Sequence, residues 1–291
     1  MAENYRAVNY KAELVGVLGY PVAENPTGVM QEAAFRAAGL NWRYMTIQVK
    51  PDDLADAIQG VRAFGMRGIN LTIPHKVEVM QYLDEIAPDA EKIGAVNTVR
   101  RVGDHLIGEN TDGKGFLRGL HVDAHFDPAG KRVVILGAGG ASRAVSTELA
   151  LAGAAELIVV NRTLLRGEEM VGDVRYRTGV AISLVPWKET YIVPPDVDLL
   201  VNATSIGLYP NVDAMPDVSL EHAKADLLVC DVVFNPVETR FLQAARERGL
   251  RTLDGLSMLV YQGVIAFELW TGRDAPEAIM KAALREALGV E

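Results

Sequence analysis

Four short, continuous apolar runs in the second half of the chain constrain its fold most strongly. They are VVIL at 133–136, LIVV at 157–160, LLV at 199–201 and LLVC at 227–230. Strands that are buried on both faces have this continuous pattern, whereas strands with one wet face alternate. Segments with apolar residues at helical spacing follow the first two runs. This order predicts a mostly parallel sheet that is covered by helices.

The first ~110 residues show a second alternation of the same kind. Strand-like segments lie at 13–19, 42–49 and 68–73, and helix-like segments separate them. VNTVRR and HLIGEN, which VGD separates, have the pattern of a hairpin. We therefore predict an α/β protein with two units, the second beginning near Lys131. The polar segment GLHVDAHFDPAG is the predicted linker, and the pattern after Gly255 becomes helical again.

Charge and composition narrow the class of partner. The 29 basic residues are outnumbered by 38 acidic ones, a net charge of −9. Nucleic acid and anionic membranes require a clustered basic face, so neither is predicted as a partner. No apolar run approaches the ~18 residues of a membrane span, and the opening residues contain no secretory signal. The single cysteine, Cys230, lies in an apolar run, which favours a reducing cytoplasm. A monomer and a homodimer both remain open.

A glycine-rich turn follows the first apolar run of the second unit and precedes a helical segment. In the order strand, turn, helix, glycines let the backbone approach a pyrophosphate, whose charge the helix N-terminus then meets. Ser142 replaces the third glycine of the usual pattern, and such a turn can also have a purely structural role. The predicted cofactor-binding residues here are Gly137, Ala138, Gly139, Gly140 and Ala141.

The end of the next strand distinguishes NADP from NAD. NAD sites usually place an acidic side chain there, which accepts hydrogen bonds from the ribose 2′-hydroxyl. This chain instead has Asn161, Arg162 and Thr163, with Arg166 close behind. Guanidinium groups and a hydroxyl suit a 2′-phosphate, although two arginines at a helix start can also simply be solvated. We therefore predict NADP as the cofactor.

Lys76 and Asp112 form a candidate acid–base pair from two separate segments, NLTIPHK and GENTDGKGF. Reduction of a ketone by hydride leaves an alkoxide that must be protonated. A lysine ammonium can stabilise and protonate that oxygen, and a carboxylate can hold the lysine. Pro74 is expected to open a helix and so to place Lys76 at the mouth of the sheet. The alternatives are a solvated lysine and an aspartate that caps the following helix.

Several motifs, in order from Gly19 to about Gly272, resemble the shikimate dehydrogenase family. Those that carry the resemblance include NLTIPHK, GAVNT, GENTDG, GAGGASRA, NRTLLR, NATSIG, FNPVET and MLVYQG. The resemblance implies an N-terminal substrate domain and a Rossmann NADP domain, with C-terminal helices that return to the first domain. The implied division is 1–120 with 255–291 for the substrate domain and 121–254 for the cofactor domain. The active site would be the cleft between them.

The resemblance also implies roles for individual residues. Lys76 matches the family's catalytic lysine, and Asp112 matches its partner. The residues that match ligands of the ring hydroxyls are Thr72, Asn97 and Gln262, and Gly255 matches a glycine near the nicotinamide. The implied reaction is the reversible reduction of 3-dehydroshikimate to shikimate by NADPH, with Lys76 supplying the proton.

The chain departs from the family pattern where the substrate carboxylate is expected. The family usually uses two serines and a tyrosine, and these align with Asn25, Thr27 and Phe234. Asn25 and Thr27 can still donate hydrogen bonds, whereas Phe234 cannot. This leaves open an ordinary shikimate dehydrogenase that has drifted, or a pocket for quinate or an aminated analogue. A non-catalytic sensor of shikimate or NADP and another two-domain dehydrogenase are further alternatives.

A metal site is not predicted. His121 and His125 have i, i+4 spacing with Asp123 between them, but they lie in the predicted linker and no third ligand is evident.

Overall fold

The computed structural model describes residues 10–290, and its first half is built around a six-stranded mixed sheet. The strands are β1 (Glu13–Gly19), β2 (Trp42–Gln48), β3 (Gly68–Leu71), β4 (Glu85–Ile86), β5 (Thr98–Val102) and β6 (His105–Glu109). Their spatial order is β2-β1-β3-β5-β6-β4. The pairs β1–β2, β1–β3 and β4–β6 are parallel, and β5 pairs antiparallel with both β3 and β6. The predicted hairpin is therefore confirmed.

Helices cover this sheet and connect its parallel strands. They are α1 (Thr27–Ala37), α2 (Leu54–Ala63), α3 (Pro88–Ile93) and α4 (Thr111–Val122). Short 3₁₀ turns occupy Pro51–Asp53 and Glu78–Tyr82. The α4 helix begins sharply because the Asn110 side chain accepts hydrogen bonds from the Asp112 and Gly113 amides. This cap leaves the Asp112 carboxylate available for another partner.

The second half contains a six-stranded sheet whose strands are all parallel. Its strands, in chain order, are β7 (Arg132–Leu136), β8 (Glu156–Asn161), β9 (Ala181–Pro186), β11 (Leu199–Asn202), β13 (Leu228–Asp231) and β14 (Arg251–Leu253). Their spatial order is β14-β13-β11-β7-β8-β9. The short strands β10 (Tyr191–Ile192) and β12 (Val218–Ser219) pair with each other in a separate two-stranded sheet. The four apolar runs lie in or at the start of β7, β8, β11 and β13 and are buried, as the sequence predicts.

The helices α5 (Gly140–Leu151), α6 (Leu164–Thr178) and α7 (Arg240–Glu247) cover the second sheet, and Phe116 and Leu120 of α4 pack into the same core. The strand order reverses next to β7, since β8 lies on one side of it and β11 on the other. In open parallel sheets, ligands bind in the crevice at such a reversal, outside the carboxyl ends of the strands. The glycine-rich turn leaves β7 at this point, so the fold itself places it at the expected crevice.

Two final helices, α8 (Gly255–Thr271) and α9 (Glu277–Ala287), return to the first half of the protein. The Phe267 ring stacks on Phe35 of α1 with ring centroids 5.7 Å apart. The Trp270 indole donates a hydrogen bond of 2.9 Å to the Val99 carbonyl on β5. Phe267 and Trp270 of α8 therefore complete the core that covers the first sheet.

Two local predictions are wrong. Pro74 does not open an α-helix, because the Lys76 carbonyl accepts a hydrogen bond of 2.7 Å from the Val96 amide instead of from the next helical turn. Residues 72–77 therefore form a turn. The predicted linker is shorter than its sequence suggested, since its first residues belong to the last turn of α4.

The predicted α/β class, with mostly parallel sheets, is confirmed. Within residues 10–290, no helix is long and apolar enough to cross a membrane.

Candidate active site

The structure brings Lys76 and Asp112 together, although they are 36 residues apart in the sequence. Lys76 lies on the turn after β3, and Asp112 lies in the first turn of α4. The Lys76 Nζ donates a hydrogen bond of 2.6 Å to Asp112 Oδ2. Side-chain exposures of 31% and 18% leave the ammonium accessible from the cavity while the carboxylate is mostly covered.

Asn97 holds the other oxygen of this carboxylate. Its Nδ2 donates to Asp112 Oδ1 at 2.8 Å and to Thr111 Oγ1 at 3.0 Å. Its Oδ1 accepts the Thr111 amide at 2.7 Å. Both N–H groups of the Asn97 amide are therefore directed at the protein. Asn97 lines the cavity, but its hydrogen bonds here orient Asp112.

A buried polar network supports the pair from behind, and sequence reasoning missed it. The Tyr44 hydroxyl donates to Asn70 Oδ1 at 2.8 Å, and Asn70 Nδ2 donates to Thr98 Oγ1 at 2.9 Å. Thr98 in turn lies 3.0 Å from Thr111, oxygen to oxygen. Burial raises the pKa of the Tyr44 hydroxyl well above its ordinary value, so it remains a donor. Asn70 stands out in the sequence as a polar residue inside the apolar strand GINL, whereas Thr98 opens a strand with two arginines and carries no such signal.

A cavity of about 560 Å³ opens in front of the pair, and the other predicted substrate residues lie on its wall. The predicted residues that line it are Asn25, Thr27, Thr72, Lys76, Asn97, Asp112, Gly255 and Gln262. Glu24, Phe234, Met258 and Leu259 line it as well. Gln262 is 7% exposed, and its Nε2 donates to the Leu259 carbonyl at 3.0 Å. Gly255, predicted to bind the cofactor, lies on this cavity.

Asn25 and Thr27 lie where the chain enters α1. The Asn25 Oδ1 accepts the Thr27 amide at 3.0 Å, so this side chain fixes the entry to the helix. Its Nδ2 remains as a donor, and the Thr27 residue, only 4% exposed, lines the same wall. Phe234, from the loop after β13, also lines this wall, and its ring has no hydrogen-bond donor.

The glycine-rich turn has the geometry of a nucleotide-binding loop. Gly137 has φ = 100°, a left-handed conformation that favours glycine, and a Cβ there would lie 2.9 Å from Thr204 Cγ2. Ser142 Oγ donates to the Gly137 carbonyl at 2.6 Å and so closes the turn. The Gly139 residue before α5 has no side chain to cap the helix. The first amides of α5 are therefore free to meet an anion.

A second cavity, of about 570 Å³, lies at this loop. The predicted cofactor residues on its wall are Gly137, Ala138, Gly139, Gly140, Ala141, Asn161, Arg162, Thr163 and Arg166. Arg166 Nε donates to the Ala138 carbonyl at 3.0 Å, and Asn161 Nδ2 donates to the Thr163 carbonyl at 2.8 Å. Arg162 is exposed. No acidic residue is among the described residues on this wall, which suits an additional phosphate.

The two cavities adjoin, because five residues line both of them. These residues are Ile73, Gly140, Ala141, Val232 and Phe234. The loop that carries Val232 and Phe234 is fixed by Asp231, whose carboxylate accepts the Val233 amide at 2.9 Å and the Thr239 hydroxyl at 2.7 Å. Burial raises the pKa of Asp231 to about 6. A ligand at the nucleotide loop would therefore lie next to a ligand in front of Lys76.

Among the described residues, no group of three or more His, Cys, Asp or Glu side chains is arranged to hold a metal ion.

Three family descriptions match successive parts of the chain. Residues 17–99 match the Shikimate dehydrogenase substrate binding domain, residues 122–239 match Shikimate / quinate 5-dehydrogenase, and residues 255–285 match the Shikimate 5′-dehydrogenase C-terminal domain. The three matched segments correspond to the first sheet, the parallel sheet and the returning helices, respectively.

Individual proteins resemble the chain over almost its full length. A shikimate dehydrogenase (NADP(+)) of Moorella thermoacetica is 47% identical, with 95% of this chain and 94% of that protein covered. The ligand-free crystal structure of a 5-ketofructose reductase of Gluconobacter sp. strain CHM43 has a TM-score of 0.91 and 46% identity, with coverages of 96% and 100%. The Thermus thermophilus shikimate 5-dehydrogenase in complex with NADP(H) and shikimate has a TM-score of 0.83 and 37% identity, with coverages of 94% and 99%. The chain belongs to the shikimate dehydrogenase family.

Proposed function

We propose that the protein is an NADP-dependent oxidoreductase that reversibly reduces 3-dehydroshikimate to shikimate. The observation that carries this proposal is the 2.6 Å Lys76–Asp112 pair, which faces a cavity adjoining the nucleotide loop. The similarity to enzymes named shikimate dehydrogenase (NADP(+)) supports both the substrate and the cofactor.

Lys76 and Asp112 are the proposed catalytic residues. NADPH, when bound, supplies the hydride that reduces the ketone carbon. The Lys76 ammonium then protonates the oxygen as negative charge develops on it. Asp112 holds the ammonium in place, and the hydrogen bond from Asn97 to its second oxygen limits rotation of the carboxylate. The orientation of the donor is therefore set before the substrate arrives.

The cofactor is proposed to lie along the second cavity. The loop from Gly137 to Ala141 and the free amides of α5 would bind the pyrophosphate. Asn161, Arg162 and Thr163, with Arg166, would surround the 2′-phosphate, and Gly255 would lie near the nicotinamide. The loop after β13 lines both cavities, so the cofactor and the substrate would lie side by side.

The substrate is proposed to contact five residues on the first cavity besides the catalytic pair. Thr72, Asn97 and Gln262 are assigned to ring hydroxyls, and Asn25 and Thr27 to the carboxylate. As a donor, Asn97 can contact a hydroxyl only by sharing one of the N–H groups that it now directs at Asp112 and Thr111. This makes Asn97 the proposed link between substrate binding and the orientation of Asp112.

The proposed domains are 1–120 with 255–291 for the substrate and 121–254 for NADP; residues 1–9 and 291 lie outside the described part of the chain. The packing of α8 against α1 and β5 supports the return of the last helices to the first domain. The proposed boundary falls in the last turn of α4. A cytoplasmic location is supported by the single, buried thiol of Cys230.

The test is NADPH absorbance at 340 nm with shikimate and NADP⁺ at alkaline pH. Lys76→Ala is expected to lower kcat by about 10²–10⁴-fold, because it removes the group that exchanges the proton. Lys188→Ala, at an exposed lysine that lines neither cavity, is the matched control and should retain wild-type turnover. A wild-type protein that binds NADP but turns over no cyclic hydroxy acid would instead be a sensor.

A second candidate reaction at the same site is the reduction of 5-ketofructose. The 46% identity to a 5-ketofructose reductase over the whole chain favours it. The same absorbance assay, run with 5-ketofructose and NADPH, distinguishes it from reduction of 3-dehydroshikimate.

A further inference from the structure

The wall of the first cavity offers an incoming acid little positive charge. Among the described residues that line it, Lys76 is the only lysine or arginine, and Glu24 and Asp112 are acidic. Lys76 is already paired with Asp112 at 2.6 Å. A carboxylate that enters the cavity therefore finds no cation without a partner, and Glu24 adds a further negative charge. Burial of an ionised group is costly unless an opposite charge or several hydrogen bonds compensate it.

The hydrogen-bond donors near the start of α1 are neutral. Asn25 has its Oδ1 on the Thr27 amide, which leaves the Nδ2 group to face a ligand. Thr27 contributes one hydroxyl, and Phe234 contributes no donor. An amide N–H and a hydroxyl can donate to the oxygen of an alcohol as well as to that of a carboxylate. With one donor fewer than the two serines and the tyrosine of the family pattern, these three side chains compensate an ionised group less well.

The remaining wall strengthens this effect. Leu259, Met258 and Val232 are apolar lining residues that remove water from an incoming ligand without replacing its hydrogen bonds. A substrate with an uncharged group at this position avoids this cost.

We infer that the cavity does not select for a carboxylate, and that the enzyme also oxidises and reduces uncharged cyclic polyols and their ketones. This inference rests on the proposed function, because it uses the same Lys76–Asp112 pair. In the oxidation, the alcohol carbon loses a hydride, with its two electrons, to NADP⁺. The hydroxyl proton passes through Lys76 to solvent, so the products are the ketone, NADPH and one proton.

The test compares shikimate with its neutral analogue in which a CH₂OH group replaces the carboxylate. The wild-type protein is assayed with each compound and NADP⁺ at 340 nm. We expect kcat/KM values within threefold of each other. A preference of tenfold or more for shikimate would overturn the inference while leaving the proposed function intact. Turnover of neither compound would overturn both, so the two failures are distinguishable.

The double variant Asn25→Ser with Phe234→Tyr identifies the residues that are responsible. The tyrosine adds a hydroxyl donor where Phe234 has none, and the serine replaces the amide donor of Asn25 with a hydroxyl. A hydrogen bond to a charged acceptor is worth about tenfold or more in affinity. We expect the ratio of kcat/KM for shikimate to that for the neutral analogue to rise at least fivefold, mainly through a lower KM for shikimate. An unchanged ratio in a variant that melts like the wild type would contradict the assignment to these residues.

Discussion

At the scale of single residues, the Lys76–Asp112 pair depends on which neighbour caps α4. Asn110 accepts the amides at the helix start, and so the Asp112 side chain does not have to. Sequence reasoning left capping by Asp112 open, since an aspartate near a helix start commonly has that role. Asn110 and Asp112 are only two positions apart, so the sequence does not show which of them caps α4; the structure shows that Asn110 does.

Arg162 allows a test of cofactor choice at this scale. The side chain is exposed on the wall of the nucleotide cavity, where no described residue is acidic. Arg162→Ala is expected to raise the KM for NADP⁺ by about tenfold to a hundredfold, because a hydrogen bond to a charged phosphate is lost. The KM for NAD⁺ should change by less than about twofold. Initial rates with both cofactors provide the measurement.

Two comparisons make this result interpretable. Arg273→Ala removes an exposed arginine that lines neither cavity and should leave both cofactors unaffected. Arg166 is a poorer choice of variant, since its guanidinium also donates to the Ala138 carbonyl of the loop. An equal loss with NAD⁺ and NADP⁺ in Arg162→Ala would mean that the residue shapes the loop and does not read the 2′-phosphate.

At the scale of elements, the sequence predicts those that local signals define. The apolar runs of β7 and β8 and the glycine-rich turn between β7 and α5 are read from consecutive residues. The turn at residues 72–77 is different, because its shape depends on a hydrogen bond from Val96 to Lys76, twenty residues away. The orientation of Asn97 similarly depends on Thr111. Such non-local contacts leave no periodicity in the sequence.

The start of α8 provides a prediction about an element. A Cβ at Gly255 would lie 2.2 Å from the Val233 carbonyl oxygen, in the loop that both cavities share. Gly255→Ala is therefore expected to lower the free energy of unfolding by about 1–3 kcal/mol. The same change at Gly172, inside α6 with open space around it, should raise that free energy by about 0.5–1 kcal/mol. Urea denaturation measures both, and equal shifts would contradict the steric explanation.

At the scale of the whole molecule, a buried acid joins the two halves. Glu148 on α5 is 6% exposed, and its Oε1 has no hydrogen-bond partner among the described residues. Gly113 lets α4 approach it, since a Cβ there would lie 2.5 Å from Glu148 Cγ. Burial, and then the charge of Asp89, raises the pKa of Glu148 to about 7 from its ordinary 4.5, and Lys114 only partly opposes this.

The pH dependence of stability follows from this shift. The unfolded chain releases the Glu148 proton near pH 4.5, whereas the folded protein keeps it until about pH 7. Between these values the unfolded state binds fewer protons, so stability falls as the pH rises. Glu148→Gln removes this loss and is expected to be more stable than the wild type at pH 8, by up to about 3 kcal/mol. At pH 4 the advantage should disappear.

Denaturation at pH 4, 6 and 8 provides the measurement. Glu247→Gln, at an exposed glutamate in α7, is the matched control and should show no such pH-dependent difference from the wild type. The raised pKa of Asp231 acts in the same direction in every variant and cancels from the comparison. A constant difference between Glu148→Gln and the wild type at all three pH values would contradict the account.

The route of the chain through its two sheets has a consequence for synthesis. The core over β1 and β2 needs Phe267 and Trp270, which the ribosome adds only after the whole parallel sheet has been made. The half that is translated first is thus the half that is completed last. Until then, Phe35 and Trp42 remain without the α8 side chains that cover them. During translation the nascent protein must carry this uncovered apolar surface, while the nucleotide-binding sheet behind it already has all of its strands.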